Sequence, residues 1–281
     1  MKRILITGKN SYVGTKFMEW VSQWPDEYQV DAISVRGDEW KQYDFSIYDS
    51  VLHVAGIAHV STDSKMEDLY YKVNRDLTIE IAKHAKKNCV KHFVFMSSII
   101  VYGDGDKDLK IITKETVPNP SNFYGDSKLQ AEKLLHEIEN DEFKIAIVRP
   151  PMIYGPNSKG NFPKLIKMAK ITPLFPKYDN QRSMLFIDNL SEFLRLLVSD
   201  QGQGLYLPQN KEYVNTSELV RLAAEHNGRK ILLTELFNPL ISIFVSRFNV
   251  VNKMFGNLVY DKDNKTEYQV VDFINSINRS I

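Results

Sequence analysis

A short apolar run at residues 3–7 ends in a glycine-punctuated turn from Gly8 to Gly14, and apolar residues then recur at helical spacing over 13–24 until Pro25 stops them. This predicts strand, turn and helix. Runs rich in β-formers at 30–35 and 51–54, bounded by turn residues, predict two further strands, and 66–87 reads as one long helix. Buried strands are expected at 92–96 and 144–148. Between them lie a loop holding Pro118 and Pro120 and helical spacing over 124–139. Strands alternating with helices in this order predict an α/β fold whose parallel sheet is wound on both faces.

Beyond Arg149 the pattern breaks into proline- and glycine-interrupted segments mixed with helices, which marks a second, smaller lobe. The expected organisation is a first domain at 1–154, with a return near 183–205 that includes a strand at 184–187, and a second lobe built from 155–182 and 206–281. The longest apolar stretch, 236–255, is interrupted by Asn238, Pro239, Arg247, Asn249, Asn252 and Lys253. It is a poor membrane span and reads as a helix of the smaller lobe, with a helix resting on a bilayer surface as the alternative.

Composition narrows the partners. In 281 residues, 36 Lys and Arg face 35 Asp and Glu, for a net charge of +1, which lacks the electrostatic footprint of a nucleic-acid binder. The single cysteine, Cys89, has no internal disulfide partner, and the chain enters a strand without an apolar signal segment, so a cytoplasmic setting is expected. His53, His59, His84, His92, His136 and His226 show no ligand spacing, and no metal site is expected.

The candidate chemistry starts at the turn. Gly8-Lys9-Asn10-Ser11-Tyr12-Val13-Gly14 follows a strand and opens a helix, whose positive N-terminal end suits the diphosphate of a dinucleotide. At the adenosine ribose a carboxylate suits a free 2′-hydroxyl and a cation suits a 2′-phosphate. The second strand runs out to Arg36, and Lys9 adds a second cation, so the charges favour NADP(H) over NAD(H), with Asp31 and Asp38 as the opposing candidates.

Tyr124 and Lys128 stand four residues apart, hence on one helix face. A free phenol has a pKa near about 10 and is a poor base at neutral pH; an adjacent ammonium favours its phenolate. Ser98, at the carboxyl end of a parallel strand, completes the set, because ligands of doubly wound sheets gather at that edge and a hydroxyl there can hold a reacting oxygen.

With these residues in view, the chain resembles the extended short-chain dehydrogenase/reductases and, among them, the NAD-dependent epimerase/dehydratase family acting on nucleotide sugars. The likeness covers nearly the whole length. Its markers are the glycine turn, Val51-Leu52-His53-Val54-Ala55-Gly56, Asn74, Ser97 to Gly103, Tyr124 to Lys128, and Arg149-Pro150-Pro151-Met152-Ile153-Tyr154-Gly155-Pro156. The resemblance implies a Rossmann-type domain with a smaller C-terminal substrate lobe and a catalytic triad of Ser98, Tyr124 and Lys128. It places Ala55, Gly56, Asn74, Ser97, Pro150 and Ile153 along the cofactor, and Asn161 and Arg182 at the nucleotide diphosphate. It also implies supply of precursors for a surface polysaccharide, and raises a homodimer above a monomer.

Four departures qualify the family pattern. Ser11 replaces the middle glycine of the turn. Ile99-Ile100 stand where dehydratase members carry Asp-Glu, which disfavours dehydration. Met152 replaces a substrate-binding asparagine, and the stretch before Val51 is too short for the usual helix, leaving Asp44 as the residue to reach the adenine. The expected function is hydride transfer at C4 of a nucleotide-linked sugar, with UDP as the expected nucleotide. A 4-keto-sugar reductase leads, a UDP-sugar 4-epimerase is the alternative, and a non-catalytic dinucleotide sensor is a distant third.

Overall fold

The protein is described by a computed structural model that covers residues 1–57, 63–109, 111–262 and 267–281. His59 lies outside the described residues. From the amino end the chain forms β1 (Lys2–Thr7), α1 (Tyr12–Val21), β2 (Tyr28–Ile33), a 3-10 turn (Glu39–Gln42) and β3 (Ser50–His53). A 3-10 turn (Ser64–Met66) leads into α2 (Glu67–Tyr70), a π-helical segment (Tyr71–Asp76) and α3 (Leu77–Lys87). Next come β4 (His92–Met96), a 3-10 turn (Ile99–Tyr102), β5 (Ile111–Ile112), α4 (Phe123–Ile138) and β6 (Lys144–Val148). Then follow β7 (Met152–Tyr154), α5 (Phe162–Ile171), β8 (Leu174–Pro176), β9 (Met184–Phe186), α6 (Ile187–Asp200) and β10 (Gly204–Tyr206). The chain ends with α7 (Thr216–His226), β11 (Leu232–Thr234), α8 (Asn238–Phe244), α9 (Asn249–Phe255), β12 (Val259–Tyr260) and α10 (Phe273–Ser280).

Two compact units result. The first comprises Met1–Gly103, Pro118–Pro150 and Leu190–Pro208. Its six-stranded parallel sheet has the order β10-β6-β4-β3-β1-β2. The chain leaves β1 for the β2 edge and resumes at β3 on the other side, so the switch point falls between β1 and β3. Sixteen residues join β2 to β3 with one 3-10 turn and no α-helix, in line with the shortness noted in the sequence. The inner strands are the buried ones, with Ile4, Leu5, Ile6, Val51, Leu52, Phe93, Val94 and Phe95 all inaccessible, while the edge strands β2 and β10 are half-buried.

The helix expected at 66–87 contains a π segment, and the reason is a side chain. Asn74, buried in that segment, accepts from Ile57 N at 2.8 Å and donates to Ser127 Oγ at 3.2 Å, so the wider turn carries it inward. Thr78, one turn on, belongs to a buried polar line. Its hydroxyl donates to Asn74 O at 2.8 Å, so it accepts from His53 Nε2 at 3.0 Å, and His53 Nδ1 then accepts from Thr7 Oγ1 at 2.7 Å.

The second unit comprises Asp104–Val117, Pro151–Asn189 and Gln209–Ile281. The strand expected at 184–187 forms as β9, but it pairs with β7 in a two-stranded sheet of this unit; the six-stranded sheet is rejoined by β10 instead. The helix expected over 236–255 is divided into α8 and α9, because Phe248 takes an extended backbone (φ −119°, ψ 116°). Short parallel pairs, β8 with β11 and β5 with β12, complete the unit.

Burial fixes two histidines in the neutral form. His53 is driven down to about 3 by desolvation and by the nearby Lys128 charge, and His92 to about 4 by desolvation, against the opposing bond to Gly202 O. Both ordinarily titrate near 6.5, so the unfolded chain binds protons there that the folded chain refuses. The stability they protect is complete above 6.5 and is lost as pH falls from 6.5 toward 3. Urea midpoints measured between pH 7 and 4.5 are expected to fall, with each imidazole contributing at most about 1.4 kcal/mol per pH unit. His92→Gln is expected to flatten that slope; an unchanged slope would remove His92 from the account.

Candidate active site

The turn after β1 is shaped by close backbone contacts at the switch point. Gly8 has φ +124°, and a Cβ there would stand 2.9 Å from Ala55 N, so only glycine fits. Gly8 N and Lys9 N both donate to Ile33 O at 3.0 Å, which ties the turn to the end of β2. Ser11 is the N-cap of α1, and its Oγ accepts from Gly14 N at 3.0 Å. The departure from glycine thus stabilises the helix whose N-terminal end, with Tyr12 and Val13, faces the turn. Lys9 and Asn10 are exposed.

β2 ends at Ile33, not at Arg36, which lies three residues further on in an exposed loop. The rival acids are engaged: Asp31 accepts from Tyr48 Oη at 2.9 Å, and Asp38 pairs with Lys41 at 2.7 Å. Asp44 is held locally by Ser46 N and Oγ at 2.8 and 2.6 Å. Among the described residues, Arg36 has no ion-pair partner.

Across the switch point, Ala55 N donates to Thr7 O at 2.9 Å, setting Gly56 beside the turn. A Cβ on Gly56 would come within 2.9 Å of Asn74 Oδ1 and 3.2 Å of Lys128 Nζ. A side chain in that position would fill the cradle. A glycine turn, a helix N-terminus and a bare backbone next to a buried lysine fit a dinucleotide.

The groups singled out by sequence come together within the first unit. Ser98 follows β4 and caps the next 3-10 turn, its Oγ accepting from Ile100 N at 3.3 Å. Gly125, in the first turn of α4, would put a Cβ 2.8 Å from Ile100 O, so glycine is what lets α4 press against that 3-10 turn. The approach brings the Tyr124 phenol close to the Ser98 hydroxyl. Burial pushes the phenol up to about 12, with the Ser98 hydroxyl acting in the opposite direction. Lys128 Nζ donates to Met96 O at 2.8 Å and lies 4.6 Å from the centre of the Phe95 ring. Burial lowers it to about 8, while the Glu132 carboxylate raises it. Desolvation disfavours the charged form of each, so burial favours a protonated phenol beside a lysine that releases its proton more readily.

What fastens strand to helix was not read from sequence. Arg149 Nη2 meets Glu132 at 2.5 Å, Nε adds bonds of 3.0 and 3.2 Å to the same carboxylate, and Nη1 donates to Tyr102 Oη at 2.5 Å. Ser97 Oγ donates to Glu132 Oε1. The available signal was a glutamate at i+4 from Lys128 and i+8 from Tyr124, a charge on the buried face of α4.

Pro150 closes the first unit, its carbonyl accepting from Ile99 N at 2.9 Å. Ile153, Asn161 and Arg182 belong to the second unit and are described within it. Asn161 begins α5 without a side-chain capping bond. Arg182 donates from Nη1 to Gly256 O at 2.7 Å and Asn252 O at 3.3 Å, whereas its buried Nε has no partner. Desolvation lowers it to about 10.

Removing one member of a buried ion pair leaves the other charge uncompensated. Glu132→Ala is therefore expected to cost roughly 3–5 kcal/mol in chemical denaturation, and Glu132→Gln less. A loss below about 1 kcal/mol for the alanine variant would mean that Arg149 finds another partner.

With this geometry established, residues 4–206 match the NAD dependent epimerase/dehydratase family. The chain is 30% identical to a UDP-glucose 4-epimerase of Vibrio cholerae, covering 92% of this chain and 87% of that one. It is 28% identical to an N-acetyl-alpha-D-glucosaminyl-diphospho-ditrans,octacis-undecaprenol 4-epimerase of Escherichia coli O157:H7, over 90% and 81% of the two chains. A dTDP-4-dehydrorhamnose reductase of Bacillus anthracis, solved with NADP, shares the fold with a TM-score of 0.75 at 18% identity, over 100% of this chain and 99% of that one. A family match of this length makes the chain a member of the NAD dependent epimerase/dehydratase family, an extended short-chain dehydrogenase/reductase and an NAD(P)-dependent enzyme.

Proposed function

We propose that the chain moves a hydride at C4 of a sugar carried on a diphosphate, and that it interconverts the two C4 epimers. The observation that carries this reading is the placement of the buried Tyr124 phenol where the Ser98 hydroxyl acts on it, one helical turn from a buried Lys128 that donates to the end of β4. Gly8 to Gly14, Arg36, Ala55, Gly56, Asn74, Ser97, Pro150 and Ile153 would hold the dinucleotide, which when bound takes up and returns the hydride. Tyr124 Oη receives the proton of the C4 hydroxyl in one direction and gives it back in the other. Ser98 Oγ holds the same oxygen. Lys128, one helical turn away, is the cation placed to stabilise the phenolate as it forms. Arg182, with a buried N–H lacking a partner, supports a diphosphate contact in which Asn161 joins.

Two full-length relatives described as 4-epimerases favour epimerisation over the reductase expected from sequence. Their descriptions differ in the carrier, a nucleotide in one and a diphospho-polyprenol in the other. Reduction of a 4-keto sugar is the second reading, supported by the exposed Arg36, because a cation near the ribose suits NADPH.

Purified enzyme incubated with UDP-glucose or UDP-N-acetylglucosamine and no added reductant is expected to form the C4 epimer, followed by NMR. Stoichiometric NADPH consumption on a 4-keto sugar, with no epimer formed, would instead establish the reductase. Tyr124→Phe is expected to lower kcat by about 10²–10⁴-fold with dinucleotide binding retained. Arg36→Ala is expected to weaken NADPH binding about tenfold and to leave NADH binding unchanged in fluorescence titration; equal effects on both would take Arg36 away from the ribose.

A further inference from the structure

Helix α8 is apolar on two sides. Ile241 and Val245 face inward and are buried, while Leu240 and Ile243 remain 55% and 52% exposed. Leu236, 77% exposed, lies in the turn just before the helix, and Phe244 extends the outer row along it. Phe248 continues it, its ring 5.2 Å from that of Phe244. The row is anchored to the β8–β11 edge: Lys177 N donates to Thr234 O at 2.8 Å, and Asn238 Nδ2 donates to Lys177 O at 2.9 Å. On that edge Leu232 and Leu174 are register partners, and both are exposed. Scattered exposed leucines need no explanation, but this many exposed apolar side chains on neighbouring elements of one unit do.

The charge around this surface is one-sided. Residues 161–178 and 229–254 hold eight Lys or Arg and one acid, Glu235, although the whole chain carries 36 against 35. Lys170, Arg229, Lys230 and Arg247 are exposed among them, while Lys177 pairs with Glu235 at 2.9 Å. Arg229 Nη1 donates to Lys170 O, which brings the end of α5 and the start of β11 together. Among the described residues no helix is long and apolar enough to cross a membrane. An apolar helical face rimmed by cations is instead what lies flat in the headgroup region of a negatively charged bilayer, where apolar burial and electrostatic attraction add.

We propose that this face of the second unit, built on α8 and the β8–β11 edge, docks on the surface of an anionic phospholipid bilayer. The consequence for the carrier rests on the C4 reading above: an enzyme held at the bilayer meets diphosphate sugars anchored there by a lipid. Docking itself does not depend on that reading.

Co-sedimentation with vesicles tests it directly. The intact chain is expected to bind phosphatidylglycerol-containing vesicles at least about tenfold more tightly than pure phosphatidylcholine, with binding weakened by salt. Leu240→Ser with Ile243→Ser, and separately Lys170→Glu with Lys230→Glu, are each expected to reduce binding by about tenfold or more. All four side chains are at the surface, so thermal midpoints and turnover of a water-soluble UDP-sugar should stay at the parent values. Failure of the parent to bind phosphatidylglycerol vesicles would overturn the proposal. So would binding that both double variants retain, or a vesicle-free parent that is dimeric while the serine variant is monomeric, which would assign the face to a second copy. Because sedimentation needs no turnover, an inactive parent would count against the C4 reading and not against docking.

Discussion

The contact on which the site rests is the ion pair between Arg149 and Glu132, buried on both sides and tied to Tyr102 and Ser97. It joins the end of β6, the end of β4 and the inner face of α4. Such a pair yields little net stability, since desolvation offsets much of the attraction, but it tolerates few alternative arrangements. Ser97 and Glu132 each stand next to chemistry in sequence or one turn away, so holding them in register holds Ser98 and Tyr124 in register too. The close passage of Gly125 along Ile100 O completes the same clamp from the other end of the helix.

A second buried line serves the dinucleotide side. Thr7, His53, Thr78 and Asn74 form a directed chain of hydrogen bonds from the last residue of β1 to the π segment, and each donor has one acceptor. Asn74 then bonds both to Ile57, beside Gly56, and to Ser127, the neighbour of Lys128. The glycine turn and the lysine are therefore connected through polar contacts in a region otherwise filled by Phe93 and Phe95, whose rings stack on His53. The low dielectric that makes these bonds strong also disfavours the charged forms of both the phenol and the ammonium. Packing and reactivity have one cause here.

The second unit shows a different balance. Its interior satisfies polar groups through asparagine-rich networks around Asn180, Asn189 and Asn210, while apolar residues lie outside on α8. Arg182 sits in the same unit with one N–H buried and unmatched. Both features are costly in a self-sufficient unit, and both become reasonable where the unit meets ligands.

The sequence by itself determined the alternation of strands and helices, the glycine turn, and the Tyr-Lys spacing, because each is written in local periodicity: 2 for strands, 3.6 for helices, and a glycine where φ is positive. It also determined the lack of a helix between β2 and β3, which follows from residue count alone. Tertiary structure decided what depends on contacts between distant segments. It paired β9 with β7 and let β10 rejoin the sheet, turned Asn74 inward through a π segment, made Ser11 a cap, ended β2 before Arg36, and matched Glu132 to Arg149. Strand pairing, burial and the protonation they impose depend on which side chains meet across the fold, and short-range pattern carries no record of that.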